Sequence, residues 1–304
     1  MIYTVTLNPS VDYIVRLRRF AVGSVNRADS DDKFPGGKGI NVSRMLQHIR
    51  LDSVALGFLG GFTGRFIADR LKNEGIRTRF TSIARDTRIN IKLKDGGETE
   101  INGAGPMISQ QELQAFRAEF NALQAGDIVV LSGSAPASLG NRFYETLVSI
   151  IKSKNADFVI DIEGDTLIRT LAHRPLLIKP NNRELGAIYG RILQTKEQIL
   201  PYGKKLLRAG AQHVIVSMAG NGALLFTTEA VYFAPPIRGT VKNSVGAGDS
   251  MIAGFVGKYH ETRDPVQAFR WGVACGTATA FSDDLASGAF ILDTLRRVEI
   301  VNFG

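Results

Sequence analysis

The chain has 304 residues, 44% of them hydrophobic and 22% charged, which allows one large buried core and argues against wholesale disorder. Its 37 Lys and Arg residues give a formal net charge of +8, but they are scattered and form no basic helix interleaved with aromatics. That pattern fits a solvated surface that draws anionic substrates better than a nucleic-acid binder. The single cysteine, Cys275, cannot close an internal disulfide and fits a reducing cytoplasm, and no run of about 18 apolar residues offers a membrane span.

Residues 2–7 read as a strand ending at the Asn8-Pro9-Ser10 turn, an opening unlike a signal peptide. Residues 11–20 are extended, with Val11, Tyr13, Val15 and Leu17 on one face and Asp12, Arg16 and Arg18 on the other; a polar strand follows to about Asp32. A Gly-rich turn from Phe34 opens a helix to about Arg50, Val54–Leu59 is an apolar strand, and residues 63–74 are a helix stopped by Gly75. Ile89, Ile91 and Leu93 then form one face of a strand, Asp95-Gly96-Gly97 turns the chain, and Glu98–Asn102 returns as its partner. These short strands, at about 11–33 and 88–104, are expected to form a small β-sheet lid. From helix 109–124 onward, strands 127–132, 157–162, 176–179 and 214–217 alternate with helices. A hairpin at 223–234, a Gly-rich loop and helix over 243–260, and two further helices at about 265–282 and 290–297 complete the chain. Such alternation predicts an α/β fold, a mostly parallel sheet covered on both faces. Ligands in these sheets bind beyond the strand C-termini, where Asp161, Asn181 and Ser217 fall.

The organising stretch is Asn243–His260, a Gly-rich loop running into an almost wholly apolar helix that must be buried. Gly246 and Gly248 can take backbone angles denied to other residues, and N–H groups at the helix start can point at an anion. Asp249 sits at that rim, where a carboxylate can act as a base toward a hydroxyl; at its reference value of about 3.9 it is already ionised at neutral pH. A phosphoryl-transfer centre is the expected chemistry. Gly36, Gly37 and Gly39 surround Lys38, with Asn41 one turn into the next helix. This is either a strand-to-helix turn or a place where backbone admits a polyhydroxy ligand, Lys38 meets its anion and Asn41 bonds its hydroxyls. It is no Walker P-loop. Asn181 and Glu184 have capping-box spacing and could equally hold a hydrated Mg²⁺. Ser217, Gly220 and Gly222 either turn a hairpin or line nucleotide phosphates. The four histidines show no metal-ligand spacing, and Gly57–Gly64 lacks the dinucleotide Gly-x-Gly-x-x-Gly pattern.

Taken together, Gly36-Gly-Lys-Gly-Ile-Asn-Val-Ser43 and Val245-Gly-Ala-Gly-Asp-Ser250 resemble the two signatures of the PfkB group of ribokinase-like carbohydrate kinases, with a matching lid between them. Residues 2–12, 87–92 and 98–103 resemble the 1-phosphofructokinase branch of that group. The resemblance implies a single ribokinase-like domain over 1–304, a three-layer α/β sandwich with an inserted lid. It further implies ATP-dependent phosphorylation of the C6 hydroxyl of D-fructose 1-phosphate, with tagatose 6-phosphate or fructose 6-phosphate as alternative substrates. Carried onto matching positions, it makes Asp249 the base and Gly246, Ala247 and Gly248 the anion hole. Asp12, Asn41, Gly36, Gly37 and Ser134 would line the sugar site, and Lys38, Arg88 and Arg27 would meet its phosphate. Lys179, Asn181, Ser217, Gly220 and Gly222 would face ATP, and Asn181 with Glu184 would hold Mg²⁺ largely through water. The lid would also pair two copies into a homodimer. A non-catalytic sensor on this scaffold would be expected to lose Asp249 or its glycines, which are present. Asp284 stands where that group often has glycine.

Overall fold

The computed structural model describes residues 1–304. In chain order the strands are β1 (Ile2–Thr6), β2 (Ser10–Arg16), β3 (Ser30–Gly36), β4 (Ser53–Gly60), β5 (Arg77–Ile83), β6 (Arg88–Lys94), β7 (Glu98–Asn102), β8 (Ile128–Ser132), β9 (Asp157–Asp161), β10 (Leu177–Ile178), β11 (His213–Ser217), β12 (Ala223–Phe226), β13 (Val231–Ala234) and β14 (Val301–Asn302). The helices are α1 (Lys38–His48), α2 (Gly61–Asn73), α3 (Gln110–Glu119), α4 (Phe143–Ser153), α5 (Asp165–Thr170), α6 (Asn182–Tyr189), α7 (Lys196–Arg208), α8 (Ala247–Thr262), α9 (Pro265–Ala280) and α10 (Gly288–Arg296). No helix is long and apolar enough to cross a membrane.

Ten strands form one sheet in the order β14-β13-β12-β11-β10-β9-β8-β1-β4-β5. The seven from β11 to β5 are parallel, and the last three pair antiparallel at the far edge. Apolar strands buried on both faces need helices on both sides, and the core divides accordingly. Tyr3, Val5, Val129, Leu131, Phe158 and Ile160 pack with residues of α3, α4 and α7 on one side. Ile2, Ile128, Val130 and Val159 pack with α1, α8 and α9 on the other. Helix α8 owes its small residues to α9: a Cβ on Gly254 would fall 2.5 Å from the Trp271 carbonyl oxygen and 2.8 Å from Cys275 Sγ.

The expected lid is present as a second sheet, β3-β2-β6-β7. Its strands come from the two predicted insertions, and β2 and β6, remote in sequence, pair in parallel from Ser10↔Arg88 to Arg16↔Lys94. Two strands of the main sheet had no counterpart in the sequence reading. β5 is an edge strand whose Arg77 and Arg79 point outward to Asp52 and Glu119, so its apolar content is low. β14 is only two residues long.

Asp284 proves to be structural. The Arg44 guanidinium, 6% exposed, donates to both Asp284 carboxylate oxygens at 2.8 and 3.3 Å and to Glu74 at 2.9 Å, tying α1 to the end of α2 and to the loop before α10. The next residue, Leu285, lies under Gly246, where a Cβ would be 2.8 Å from its Cδ2. Removing Arg44 would strand one carboxylate that is mostly buried and another that is half exposed. Arg44→Ala should lower the unfolding free energy in urea by about 2–3 kcal/mol. Arg77→Ala, which breaks a pair open to solvent, should lower it by less than about 0.5 kcal/mol.

Candidate active site

Strand order reverses at β1, whose neighbours β8 and β4 leave in opposite directions, and a cleft of about 910 Å³ opens beyond the strand ends there. Thr6 ends β1 and Asn8 follows it, Ser132 ends β8 with Gly133 and Ser134 after it, Asp161 ends β9, Lys179 and Asn181 follow β10, and Ser217 ends β11. The lid supplies the opposite wall with Asp12, Arg88, Asn90, Lys92, Glu100 and Asn102. Only five of the 33 lining residues are hydrophobic, so the cleft suits a highly polar ligand.

At the start of α8, Gly246 has φ 78°, a left-handed conformation suited to glycine, and caps the helix. The Ala247 N–H folds back onto the Ser244 carbonyl at 3.3 Å. The N–H groups of Gly246, Gly248 and Asp249 take no backbone partner and are the donors left free at this helix end, whereas that of Ala247 is engaged. Asp249 is buried, 6% exposed, and its side chain accepts one hydrogen bond, from Asn41 Nδ2 at 2.8 Å. Burial, and then the charge of Asp161, push its pKa up to about 6, against the opposing pull of Asn41, Lys38 and Lys179. Asp249 is therefore far less acidic than the reference value suggests.

Lys38 Nζ donates to Asp161 Oδ2 at 3.0 Å, and Lys179 Nζ lies 3.6 Å from Asp161 Oδ1. Burial alone would lower the Lys38 pKa, but Asp161 outweighs it and raises it. Burial would likewise raise Asp161, yet the two ammonium groups hold it low. Lys38 and Asp161 are both charged at neutral pH. Lys38 thus faces the interior carboxylate cluster in this structure, where the sequence reading aimed it at the sugar's phosphate.

On the lid side, Asp12 Oδ1 accepts from Ser10 Oγ at 2.7 Å and from Asn90 Nδ2 at 3.1 Å, with Lys92 Nζ 3.9 Å from Oδ2. Gly36 lies directly beneath it, since a Cβ there would be 2.4 Å from Asp12 Oδ1. Gly37, φ 125°, carries the chain past Thr6 into α1. Arg88 donates Nε to the Asn8 carbonyl and Nη1 to the Gly103 carbonyl, both at 3.2 Å, and pairs with no carboxylate. Burial pulls its pKa below the usual value by more than the nearby charge of Asp12 raises it. Ser134 lines the cleft and accepts weakly from Asn8 at 3.4 Å.

The capping-box reading of Asn181 and Glu184 is realised: Asn181 Oδ1 accepts from the Arg183 and Glu184 N–H groups, and Glu184 Oε2 accepts from Asn181 N–H. Both residues still line the cleft. No group of three or more His, Cys, Asp or Glu side chains forms a metal cage. Arg27 remains on the exposed β2–β3 loop and Gly220 and Gly222 on the turn after Ser217, none of them lining the cleft of this single chain. Sequence reading placed Asp161 at a strand end without a role, and passed over Asn90 and Lys92. Their signal was the polar face of β6, where Arg88, Asn90 and Lys92 alternate with Ile89, Ile91 and Leu93.

A carboxylate without an ion pair, set beside free helix-end amides at the switch point of a parallel sheet, suits transfer of an anionic group to a hydroxyl, and the protein is a phosphotransferase by class. A model of the pfkB family carbohydrate kinases matches residues 5–288, and the chain belongs to that family. It is 53% identical to a 1-phosphofructokinase of Bacillus subtilis over 300 residues, covering 99% of both chains. It is 37% identical to a D-tagatose-1-phosphate kinase of Bacillus licheniformis, covering 99% of this chain and all of that one. Among solved structures it resembles the tetrameric inhibited form of phosphofructokinase-2 from Escherichia coli, with a TM-score of 0.90 at 27% identity over 97% of this chain and 98% of that one.

Because its pKa is raised from 3.8 to about 6, Asp249 binds a proton more tightly in the folded than in the unfolded chain. Its contribution is favourable below about pH 3.8 and is lost as pH rises through about 6, a penalty of about 3 kcal/mol at pH 8. Asp249→Asn should therefore raise stability toward urea at pH 8 by about that amount, with the gain shrinking as pH falls below about 6.

Proposed function

We propose that this protein transfers the γ-phosphoryl group of ATP to the C6 hydroxyl of D-fructose 1-phosphate, giving fructose 1,6-bisphosphate and ADP, the reaction of a 1-phosphofructokinase. The observation that carries this reading is Asp249 itself, buried, bonded to one neutral amide and placed beside the free N–H groups of α8. As the sugar oxygen bonds to the γ-phosphorus, Asp249 takes the hydroxyl proton while the bond to the β–γ bridging oxygen breaks. The amides of Gly246, Gly248 and Asp249 meet the charge on the moving phosphoryl group. Lys38 and Lys179 extend that positive field, and Asp12, Asn41 and Ser134 hold sugar hydroxyls.

Arg88 supports a phosphorylated sugar. It is half-buried and lacks a carboxylate partner, and its two hydrogen bonds to carbonyls leave guanidinium donors over for the phosphate on C1. ATP would lie across Lys179, Asn181 and Ser217. Glu184 uses only Oε2 on its own helix, so its carboxylate, with Asn181, fits a hydrated Mg²⁺ held partly through phosphate oxygens. Bound there, Mg²⁺ would neutralise phosphate charge. D-Tagatose 1-phosphate is a second reading, favoured by the B. licheniformis relative; it keeps the C1 phosphate and inverts one hydroxyl, at C4.

The lid explains a further property. Its cleft-facing side is polar, whereas Tyr13, Val15, Ile91, Leu93 and Ile101 share the other face. Ile101 is 53% exposed, and Val22 and Val25 in the adjoining loop exceed 80%. A second copy of this chain would cover that face, in keeping with the oligomeric E. coli relative.

Coupled ADP release with fructose 1-phosphate, tagatose 1-phosphate, fructose 6-phosphate and tagatose 6-phosphate should give kcat/KM highest for fructose 1-phosphate by at least about tenfold. A higher value for either 6-phosphate would overturn the substrate. Asp249→Ala should abolish turnover without unfolding the chain. Arg88→Gln should raise KM for the sugar phosphate about tenfold or more while changing KM for ATP less than about twofold. Ile101→Asp should halve the sedimenting mass.

A further inference from the structure

Two lysines and two carboxylates share the floor of the cleft, and they pair unevenly. Asp161 takes both cations, Lys38 at 3.0 Å and Lys179 at 3.6 Å. Asp249 takes neither, although a Cβ on its neighbour Gly248 would lie 3.0 Å from the Lys179 ammonium. The first turn of α1 makes the same division. Lys38 and Asn41, three residues apart on one helix face, send the ammonium to Asp161 and the neutral amide to Asp249.

We propose that Asp161 is a positioning residue that draws Lys38 and Lys179 away from Asp249, leaving the base unpaired and able to accept the substrate's proton. This rests on the reading of Asp249 as the base. An ammonium on a carboxylate favours its ionised form and weakens it as a base. Two lysines are nonetheless wanted here, because the phosphates are anionic. A second, buried carboxylate resolves the conflict. Asp161, 7% exposed, is ionised and satisfied by the lysines, and the trio keeps one net positive charge for the phosphates. The charged groups that act on Asp249 are Lys38 from α1, Asp161 from β9 and Lys179 after β10; Glu184 acts on Lys38 rather than on Asp249. The direction of the Asp249 shift agrees, since after burial Asp161 is the next cause raising it and both lysines oppose it.

The test is the pH dependence of kcat at saturating ATP, Mg²⁺ and fructose 1-phosphate, in the full chain. Asp161→Asn releases both lysines, so the acid limb should move down by about one unit or more and kcat at pH 8 should fall about tenfold or more. Lys38→Met removes a cation and leaves Asp161 in place, so its limb should move up. Opposite shifts support the proposal, whereas an unmoved limb in either soluble variant, or shifts of the same sign, overturns it. Should Asp161→Asn fail to fold, the Lys38→Met limb and the same measurement on Lys179→Met decide, both being expected to move up. Turnover surviving in Asp249→Ala would instead defeat the assignment of the base, and that outcome is read independently of any limb.

Discussion

A carboxylate buried with one neutral amide as its side-chain partner is the constraint around which this molecule is arranged. Burial favours the protonated form of Asp249 and so works against folding at neutral pH. Such a group stays in place only if the frame around it is stiff. The frame here is α8 packed directly on α9, with Gly254 beneath the Trp271 carbonyl, and α1 delivering Asn41 from the opposite side. Arg44 fastens α1 to the loop that carries Leu285 under Gly246, so the amide donor and the helix end are held by one ion network centred on a buried guanidinium. Strain of this kind is expected where chemistry needs a poised group, and the rest of the core is large enough to offset it.

The lid follows the reverse of the usual sheet pattern. In a sheet covering a core the apolar face turns inward; here the inward face carries Asp12, Asn90, Lys92 and Arg88, and what it covers is a polar cleft. Alternation then leaves the isoleucines and valines on the outside, where one chain leaves them partly open to solvent. A polar cleft wall and a partly exposed apolar face are thus the two sides of one strand pattern. Arg88 and Asn90 also grip Gly103, at the point where the lid rejoins the body, through its carbonyl and its N–H respectively, so two residues that line the cleft also define the lid's exit.

Much of this was legible in the chain. Period-two strands, amphipathic helices and glycine stops define the α/β alternation, and Asp95-Gly96-Gly97 marks the lid hairpin. The Gly-rich turns before α1 and α8 are local events that glycine decides by its own backbone freedom, so their positions could be read directly. β5 escaped because an edge strand alternating Arg77 and Arg79 with small polar residues lacks the apolar run by which its neighbours are recognised. The polar face of β6 was equally visible, but nothing local says which side of a strand becomes the inside.

The sequence by itself determined most of the elements, the glycine-rich start of α8 and the place of Asp249 beside it, because each depends on residues within a turn or two of one another. Tertiary structure alone decided how the charges pair. Lys38 and Asp161 are 123 residues apart, and Asn41 and Asp249 are 208 apart. Which carboxylate receives the ammonium and which the amide is set by where β9, β10, α1 and α8 meet at the switch point of the sheet. Burial first, and then that choice, set the proton affinity of Asp249, because a carboxylate's pKa reports its surroundings and not its place in the chain.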